Sequence, residues 1–281
     1  MTERIERQHH YHATATAISG NLKLPLESKI DPQAYVELPP KGGHFPQRCE
    51  EFNVEGVISF RLARTRVSGN KSTKPGQGWT TMTNTTIEDL NVMEVVTADR
   101  IVTQIITEHP LVGYVPRVSF LGTHFENLRI AGHKVDLEID YNLLGEKPEG
   151  DGPYTKEPGV IARVGSQYSR VLASSGLPDD LRERYNRFSA NLGKSEEMEC
   201  SLVNRASGSY PGLTHGHIIH VKDFGKIVLC KLKVTHDQHD TPTKAPRITN
   251  VHLTMVDLEL GCVTDGTVAM VSGYTNGSTN P

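Results

Sequence analysis

The sequence Ile87-Glu-Asp-Leu-Asn-Val92 decides the fold, because altered copies of it stand at Phe125-Glu-Asn-Leu-Arg-Ile130 and at Ile248-Thr-Asn-Val-His-Leu253. Each copy alternates apolar and polar side chains and leads into another apolar run, which is typical of a strand with one face on a core. The spacing between copies is unequal, unlike the fixed period of a solenoid. The pattern indicates a duplicated β motif with material inserted before its last copy, or a chance similarity between strands.

The composition supports a mainly β fold. Gly (25 residues) and Pro (16) are plentiful in the 281-residue chain, and apolar residues reach 36%, which favours short strands joined by turns. From Trp79 to Leu144, and again from Met198, the pattern is that of consecutive strands. We therefore expect one domain over residues 1–281, built as a two-sheet sandwich or an open barrel, with flexible arms at residues 1–12 and 275–281.

The inserted material covers residues 145–197. It opens with a polar linker and then changes period, because apolar residues recur at helical spacing on both sides of Pro178. This predicts a two-helix hairpin over roughly residues 158–191. Such a hairpin would cover a sheet face, cap a pocket or dock a neighbouring subunit, and covering the sheet is the simplest of the three.

The N-terminal region is less regular. Two β-prone pieces within the first 50 residues predict an edge or an arm, and residues 54–65 predict a longer strand. The stretch from Ser68 to Gly78 is rich in Gly, Ser, Asn and Lys and predicts a loop. The four cysteines form no Cys-x-x-Cys pair and are expected to be buried thiols rather than a disulfide framework.

The charge pattern bears on partners and location. Lys and Arg number 30 and Asp and Glu 33, for a formal net charge of −3, and no run rich in Lys or Arg occurs. We therefore expect no nucleic-acid partner, because such proteins concentrate cations against phosphates. The longest apolar stretches fall far below the ~20 residues of a membrane-spanning helix, so no membrane association is expected. The polar N-terminus lacks a secretory signal, which predicts a cytoplasmic protein.

Histidines are the catalytic residue type that clusters most visibly. If a hairpin turns at residues 223–226, period-two alternation places His215, His217 and His236 on one face near its open end. Three converging imidazoles can hold a divalent metal such as Zn²⁺ or Fe²⁺ with a position left for water or substrate. A shift of one residue in the turn would scatter this set, and strand ends with histidines also occur on ordinary solvent-exposed faces.

Three segments, Gly78-Trp-Thr-Thr81, Phe120-Leu-Gly-Thr123 and Glu126-Asn-Leu-Arg-Ile-Ala-Gly132, carry a family resemblance. The chain resembles a set of soluble bacterial proteins that are uncharacterised. The resemblance implies a single bacterial unit and transfers no activity, cofactor or residue role.

Three functions remain open. The leading hypothesis is a non-enzymatic structural protein, a homo-oligomer or partner-binding protein that associates through sheet edges and its termini, because no coherent catalytic set is visible. It implies no cofactor. The second is a metalloenzyme that acts on a small molecule through His215, His217 and His236. The third is a small-molecule carrier with a pocket between the sheet and the helical hairpin.

Overall fold

Two antiparallel sheets dominate the computed structural model, which describes residues 7–24, 27–74, 77–237, 248–261 and 265–279. The first strands are β1 (His9–His10), β2 (Ala13–Leu22), β3 (Ser28–Gln33), β4 (Val36–Glu37), β5 (Gly43–Val54), β6 (Ile58–Lys71), β7 (Gln77–Val92) and β8 (Val96–Pro110). Five short strands follow: β9 (Arg117–Ser119), β10 (His124–Glu126), β11 (Arg129–Ile130), β12 (His133–Lys134) and β13 (Asp136–Ile139).

The helices interrupt this succession of strands. Two 3₁₀ turns, Glu149–Asp151 and Tyr154–Lys156, lead into α1 (Pro158–Leu172) and α2 (Asp179–Asn191). The remaining strands are β14 (Glu197–Ser201), β15 (Val203–Ser207), β16 (Leu213–His215), β17 (Ile218–Val221), β18 (Gly225–Asp237), β19 (Ile248–Leu260), β20 (Gly266–Thr275) and β21 (Ser278–Thr279). No helix among the described residues has the length and apolar character needed to cross a membrane.

The two sheets pack against each other as a sandwich. The eight-stranded sheet has the order β12-β11-β8-β7-β6-β5, with β9 and β10 also paired to β8. The eleven-stranded sheet has the order β16-β17-β18-β19-β20-β2-β3, with β1, β4, β14 and β21 alongside, and β13 pairs separately with β15. The Thr85 hydroxyl on β7 donates a hydrogen bond to the Ser272 carbonyl on β20 at 2.9 Å, which ties the sheets together. They do not close into a barrel, so the sandwich alternative is confirmed.

The core forms because alternate side chains of the long strands face the opposite sheet. Ile87 on β7 lies opposite Ile101 on β8, and both are fully buried. On the other sheet Leu232 and Leu253 form the equivalent pair of buried residues. Burying such side chains stabilises the fold by about 1.5–3 kcal/mol each, before conformational entropy is counted.

The predicted helical hairpin is confirmed, and it lies on the eleven-stranded sheet. Pro158 begins α1, and Val160, Val164, Tyr168 and Val171 form its buried stripe. The hydroxyl of Tyr168 donates to the Glu199 carbonyl on β14 at 2.5 Å. The hairpin therefore takes the simplest of its predicted roles, that of covering a sheet.

Two sequence predictions about strands are corrected by the structure. Residues 54–65 are not one strand, because Glu55 and Gly56 adopt φ angles of 52° and 66° and form a turn between β5 and β6. The predicted loop from Ser68 to Gly78 is wrong at both ends, since β6 continues to Lys71 and β7 begins at Gln77. Pairing with β7 keeps the glycine and asparagine of β6 extended despite their turn propensity.

The three hexapeptide copies also differ in structure. The first lies in β7 and the third in β19, one in each sheet, as expected for strands with one buried face. The middle copy is broken between β10 and β11 at Asn127, although Asn127 and Asp89, its equivalent in the first copy, adopt similar left-handed φ angles of 50° and 56°. At the chain ends, β1 pairs with β21, so the described parts of the two terminal segments lie side by side.

Candidate functional site

His236 has both ring nitrogens occupied by structural hydrogen bonds. Its Nε2 accepts the backbone N–H of Tyr154 at 3.0 Å, and its Nδ1 lies 3.2 Å from the Thr249 hydroxyl. Burial is the main cause that lowers its pKa to about 4, which keeps the ring neutral at physiological pH. His236 thus joins β18 to the turn before α1.

His215 and His217 lie on opposite sides of a tight reversal. Gly216 adopts a φ of +67°, and β16 folds back to pair with β17. His217 Nε2 shares a hydrogen bond of 2.8 Å with the Tyr185 hydroxyl on α2, and burial lowers its pKa to about 3. Both ring nitrogens of buried His215 lack a hydrogen-bond partner among the described residues.

The predicted hairpin register is wrong, which explains why the three histidines separate. Val221 pairs with Gly225, so residues 222–224 form the turn instead of residues 223–226. The position beside Val234 belongs to Met198 of β14 rather than to His215. Among the described residues, no group of three or more His, Cys, Asp or Glu side chains is arranged to hold a metal ion. The metal site remains a prediction that this geometry does not support.

A second histidine cluster, which the sequence did not suggest, lies where the chain ends meet. The rings of His9 on β1 and His109 on β8 have centroids 4.5 Å apart, and Trp79 stacks on His9 at 5.1 Å. His9 Nδ1 lies 3.0 Å from the Thr279 hydroxyl of β21, whereas neither nitrogen of His109 has a partner among the described residues. Burial lowers the pKa of both rings, that of His9 to about 4. This cluster closes one end of the sandwich.

The most exposed long element is β5, the twelve-residue edge strand of the eight-stranded sheet. It pairs with β6 on one side and has no strand on its other side among the described residues. None of its side chains is fully buried: Cys49, Phe52 and Val54 pack half-buried against the core, and Phe45 is 38% exposed. Unpaired backbone N–H and C=O groups along such an edge are a template for another strand.

The outer face of this sheet holds a basic groove beside β5. The groove has a volume of about 580 Å³, and four arginines from three strands line it: Arg48, Arg64, Arg66 and Arg100. The remaining lining residues are neutral. The sequence contains no arginine-rich run that would predict this groove. The arginines become neighbours only through the register of β5, β6 and β8.

The space beside the helical hairpin is smaller. A pocket of about 240 Å³ lies between α1, α2 and β14, lined by Tyr168, Phe188 and Met198 among others. Small-molecule sites usually have volumes of about 300–1,000 Å³. The hairpin pocket is therefore smaller than such sites usually are, and the carrier function stays a prediction.

The fold and these surfaces define a class of protein: an antiparallel two-sheet β sandwich that carries a helical hairpin and one long open edge. The chain belongs to the family described as "Domain of unknown function (DUF8256)", whose model matches residues 9–235. No curated protein and no solved structure matches it. The resemblance to a family without a transferable function is thereby confirmed.

Proposed function

We propose that the protein is a non-enzymatic, self-associating β scaffold, and that two copies pair through β5. The observation that carries the proposal is the open edge of β5, twelve residues long and without a fully buried side chain. An added strand would satisfy its outward N–H and C=O groups, which is how edge-to-edge association gains affinity. A second copy is the proposed occupant because the charges of β5 complement themselves.

Backbone geometry restricts how two β5 strands pair. In an antiparallel pair, residues that lie directly opposite point their N–H and C=O groups either both toward the partner or both away. Outward-pointing residues alternate along a regular strand, so opposite residues in a self-pair differ by an even number of positions. The twofold axis therefore passes through a residue and not between two residues.

Charge then selects the residue at the centre. An axis through Arg48 or Glu50 places that residue opposite its own copy, so like charges meet. An axis through Cys49 places Arg48 opposite Glu50 of the partner subunit, and it does so twice because of the symmetry. Within one chain Arg48 and Glu50 already form an exposed ion pair, with side chains 58% and 57% exposed.

Two features keep this edge from pairing indiscriminately. Pro46 has no N–H to donate, and Glu51 adopts a left-handed φ of 51° that interrupts a regular ladder. They bound the regular segment to residues 47–50, which contains the complementary charges. The arrangement favours one register over a sliding contact.

The test is the mass in solution, measured by light scattering coupled to size-exclusion chromatography at tens of micromolar. We expect a dimer for the wild-type chain. Arg48→Glu sets like charges opposite each other at two places, and we expect its dissociation constant to rise about tenfold or more. The matched control is the double variant Arg48→Glu/Glu50→Arg, which swaps the charges and restores both opposite-charge contacts.

The pattern across these variants decides the proposal. Recovery of the dimer in the double variant supports this register, because composition and net charge equal those of the wild type. A wild-type monomer at these concentrations, or a dimer insensitive to Arg48→Glu, would refute the proposal.

Cross-linking provides an independent readout of the register. Cys49 is half-buried and free, and in the proposed dimer it lies directly opposite Cys49 of the partner subunit. Diamide accepts two electrons and two protons from two thiols, so it converts such a pair into one disulfide. Burial is the larger cause, and the Glu50 carboxylate the smaller, that raises the pKa of the Cys49 thiol. Because the thiolate is the reactive form, the reaction is run at alkaline pH.

The cross-linking variant carries Cys262→Ser, which leaves Cys49 and the buried Cys200 and Cys230. We expect a covalent dimer on a non-reducing gel, and none when Cys49→Ser is added. Equal cross-linking with and without Cys49 would contradict the Cys49-centred register.

A further inference from the structure

The basic groove beside β5 is formed by two neighbouring rungs of the eight-stranded sheet, where a rung is a row of directly opposite residues on adjacent strands. On one rung Arg48, Arg64 and Thr86 lie side by side on β5, β6 and β7, and on the next Arg66 lies beside Asn84. Directly opposite residues of neighbouring strands have Cβ atoms about 4.5–5.5 Å apart. The guanidinium groups of three arginines therefore extend from a patch only two rungs wide.

Carboxylates compensate these charges only in part, and Arg48 already pairs with Glu50 in an exposed ion pair. Arg64 contacts Glu88 at 3.4 Å, but Glu88 lies closer to Arg61, at 2.6 Å. Arg66 forms no ion pair with any described residue. The groove consequently has an excess of positive charge in the free protein, and like charges held this close repel each other.

Arg100 on β8 adds the fourth cation to the far wall of the groove. Its nearest carboxylate, Glu126, lies 3.9 Å away, at the limit of an ion pair. The buried Nε of Arg100 has no hydrogen-bond partner among the described residues. This guanidinium therefore retains donor capacity toward the groove.

We propose that the groove binds a small multivalent oxyanion, one that carries two or more phosphate or carboxylate groups. The planar guanidinium fork matches the two oxygens of such groups and donates to them in pairs. Asn84 and Thr86 supply neutral donors between the arginines. The volume of about 580 Å³ suits a ligand of this size. Arg48 belongs both to this groove and to the proposed β5 contact, so the variants that test the groove leave Arg48 unchanged.

The probes are pyrophosphate and citrate, titrated calorimetrically into the full chain at low ionic strength, with chloride as the monovalent reference. They distinguish the two chemical sources of the charge: phosphate groups in one case, carboxylates in the other. We expect at least one of them to bind stoichiometrically, and binding to weaken with added salt.

The key variant is Arg66→Gln, because Arg66 lies on β6 and breaks no described ion pair when replaced. We expect it to weaken binding about tenfold, the effect of losing one charge-assisted contact. The matched control is Arg182→Gln on α2, an exposed arginine outside the groove whose replacement changes the net charge equally.

Thermal melts of both variants confirm that each is folded before titration. Weakening in Arg66→Gln with no change in Arg182→Gln supports the site. Equal weakening in both variants, or no binding of either anion at millimolar concentration, overturns it. Light scattering on Arg66→Gln is read separately, so a failure of the groove is distinguishable from a failure of the β5 dimer.

Discussion

The two long edges of the eight-stranded sheet differ, because short strands pair with one edge and the other edge is open. On the β8 side, three short strands cover the edge: β11 beside residues 96–97, β10 beside residues 100–102 and β9 beside residues 106–108. On the β5 side, no described strand covers any of the twelve residues. The chain uses residues 117–130 to close one edge and leaves the other open.

Closure of the β8 side extends to a residue between two of those strands. Gln104 lies in the gap between β9 and β10, and the hydroxyl of Thr123 serves both of its backbone groups. The Gln104 N–H donates to Thr123 Oγ1 at 3.0 Å, and the same hydroxyl donates to the Gln104 carbonyl at 3.1 Å. These contacts cover much of the β8 edge, whereas the β5 edge is left open.

The largest expected effect comes from breaking this closure with Thr123→Val. Valine has nearly the same shape as threonine but cannot hydrogen-bond, so it leaves the Gln104 N–H and C=O unpaired beside a fully buried side chain. Each unpaired buried group costs about 1–3 kcal/mol, and we expect a loss of about 2–4 kcal/mol in the free energy of unfolding. Urea denaturation at pH 7 measures it.

Thr123→Ser is the matched control, because it keeps the hydroxyl and removes one methyl group. We expect it to lose about 1 kcal/mol, and both variants to keep the association state of the wild type. Similar losses for valine and serine would show that packing, and not the hydroxyl, closes the gap.

The same contrast explains how much of the fold could be predicted from the sequence. β7, β8 and α1 were predictable because each has one face on the core, which fixes a period of two or of 3.6 residues. β5 was missed because only Cys49, Phe52 and Val54 of its side chains pack against the core, so residues 43–54 contain too short an alternation of apolar and polar side chains to indicate a strand. A strand with one face on the core shows a period of two residues in its sequence, whereas a mostly exposed edge strand does not.

The candidate sites were harder to predict because they depend on register. The proposed trio of histidines required a turn at residues 223–226, and the observed turn at residues 222–224, with the reversal at Gly216, separates His215 from β18. The basic groove combines arginines up to 52 positions apart in the sequence, from Arg48 to Arg100. Neither arrangement can be derived without the strand pairing.

A second prediction concerns acid sensitivity of the closed side. Burial is the larger cause, and the neighbouring His9 the smaller, that lowers the pKa of His109 well below its usual value. His109 therefore stays neutral in the folded chain. In the unfolded chain the same side chain is protonated below about pH 6.5. Protons therefore favour the unfolded state, and stability falls as the pH drops below 6.5. From pH 6.5 to pH 5, one such histidine costs about 2 kcal/mol.

His109→Leu isolates this contribution. We expect the wild-type chain to lose about 2 kcal/mol more than the variant between pH 7 and pH 5, measured by urea denaturation at both values. The comparison uses the change with pH, because the substitution itself also alters stability. Parallel losses in the two proteins would mean that His109 reaches solvent before the chain unfolds.

The smallest expected effect belongs to the open edge, where β5 contributes to association and little to the stability of one chain. Because dimer formation stabilises the folded state by mass action, the melting temperature of the wild-type chain should rise with protein concentration. At a concentration tenfold above the dissociation constant the stabilisation is about 1.4 kcal/mol. Arg48→Glu should show a smaller rise, because at the same concentration its tenfold weaker dimer adds only about 0.4 kcal/mol. Thr123→Val should melt lower at every concentration yet rise in parallel with the wild type. A concentration dependence that is undiminished in Arg48→Glu and disappears in Thr123→Val would reverse the roles assigned to the two edges.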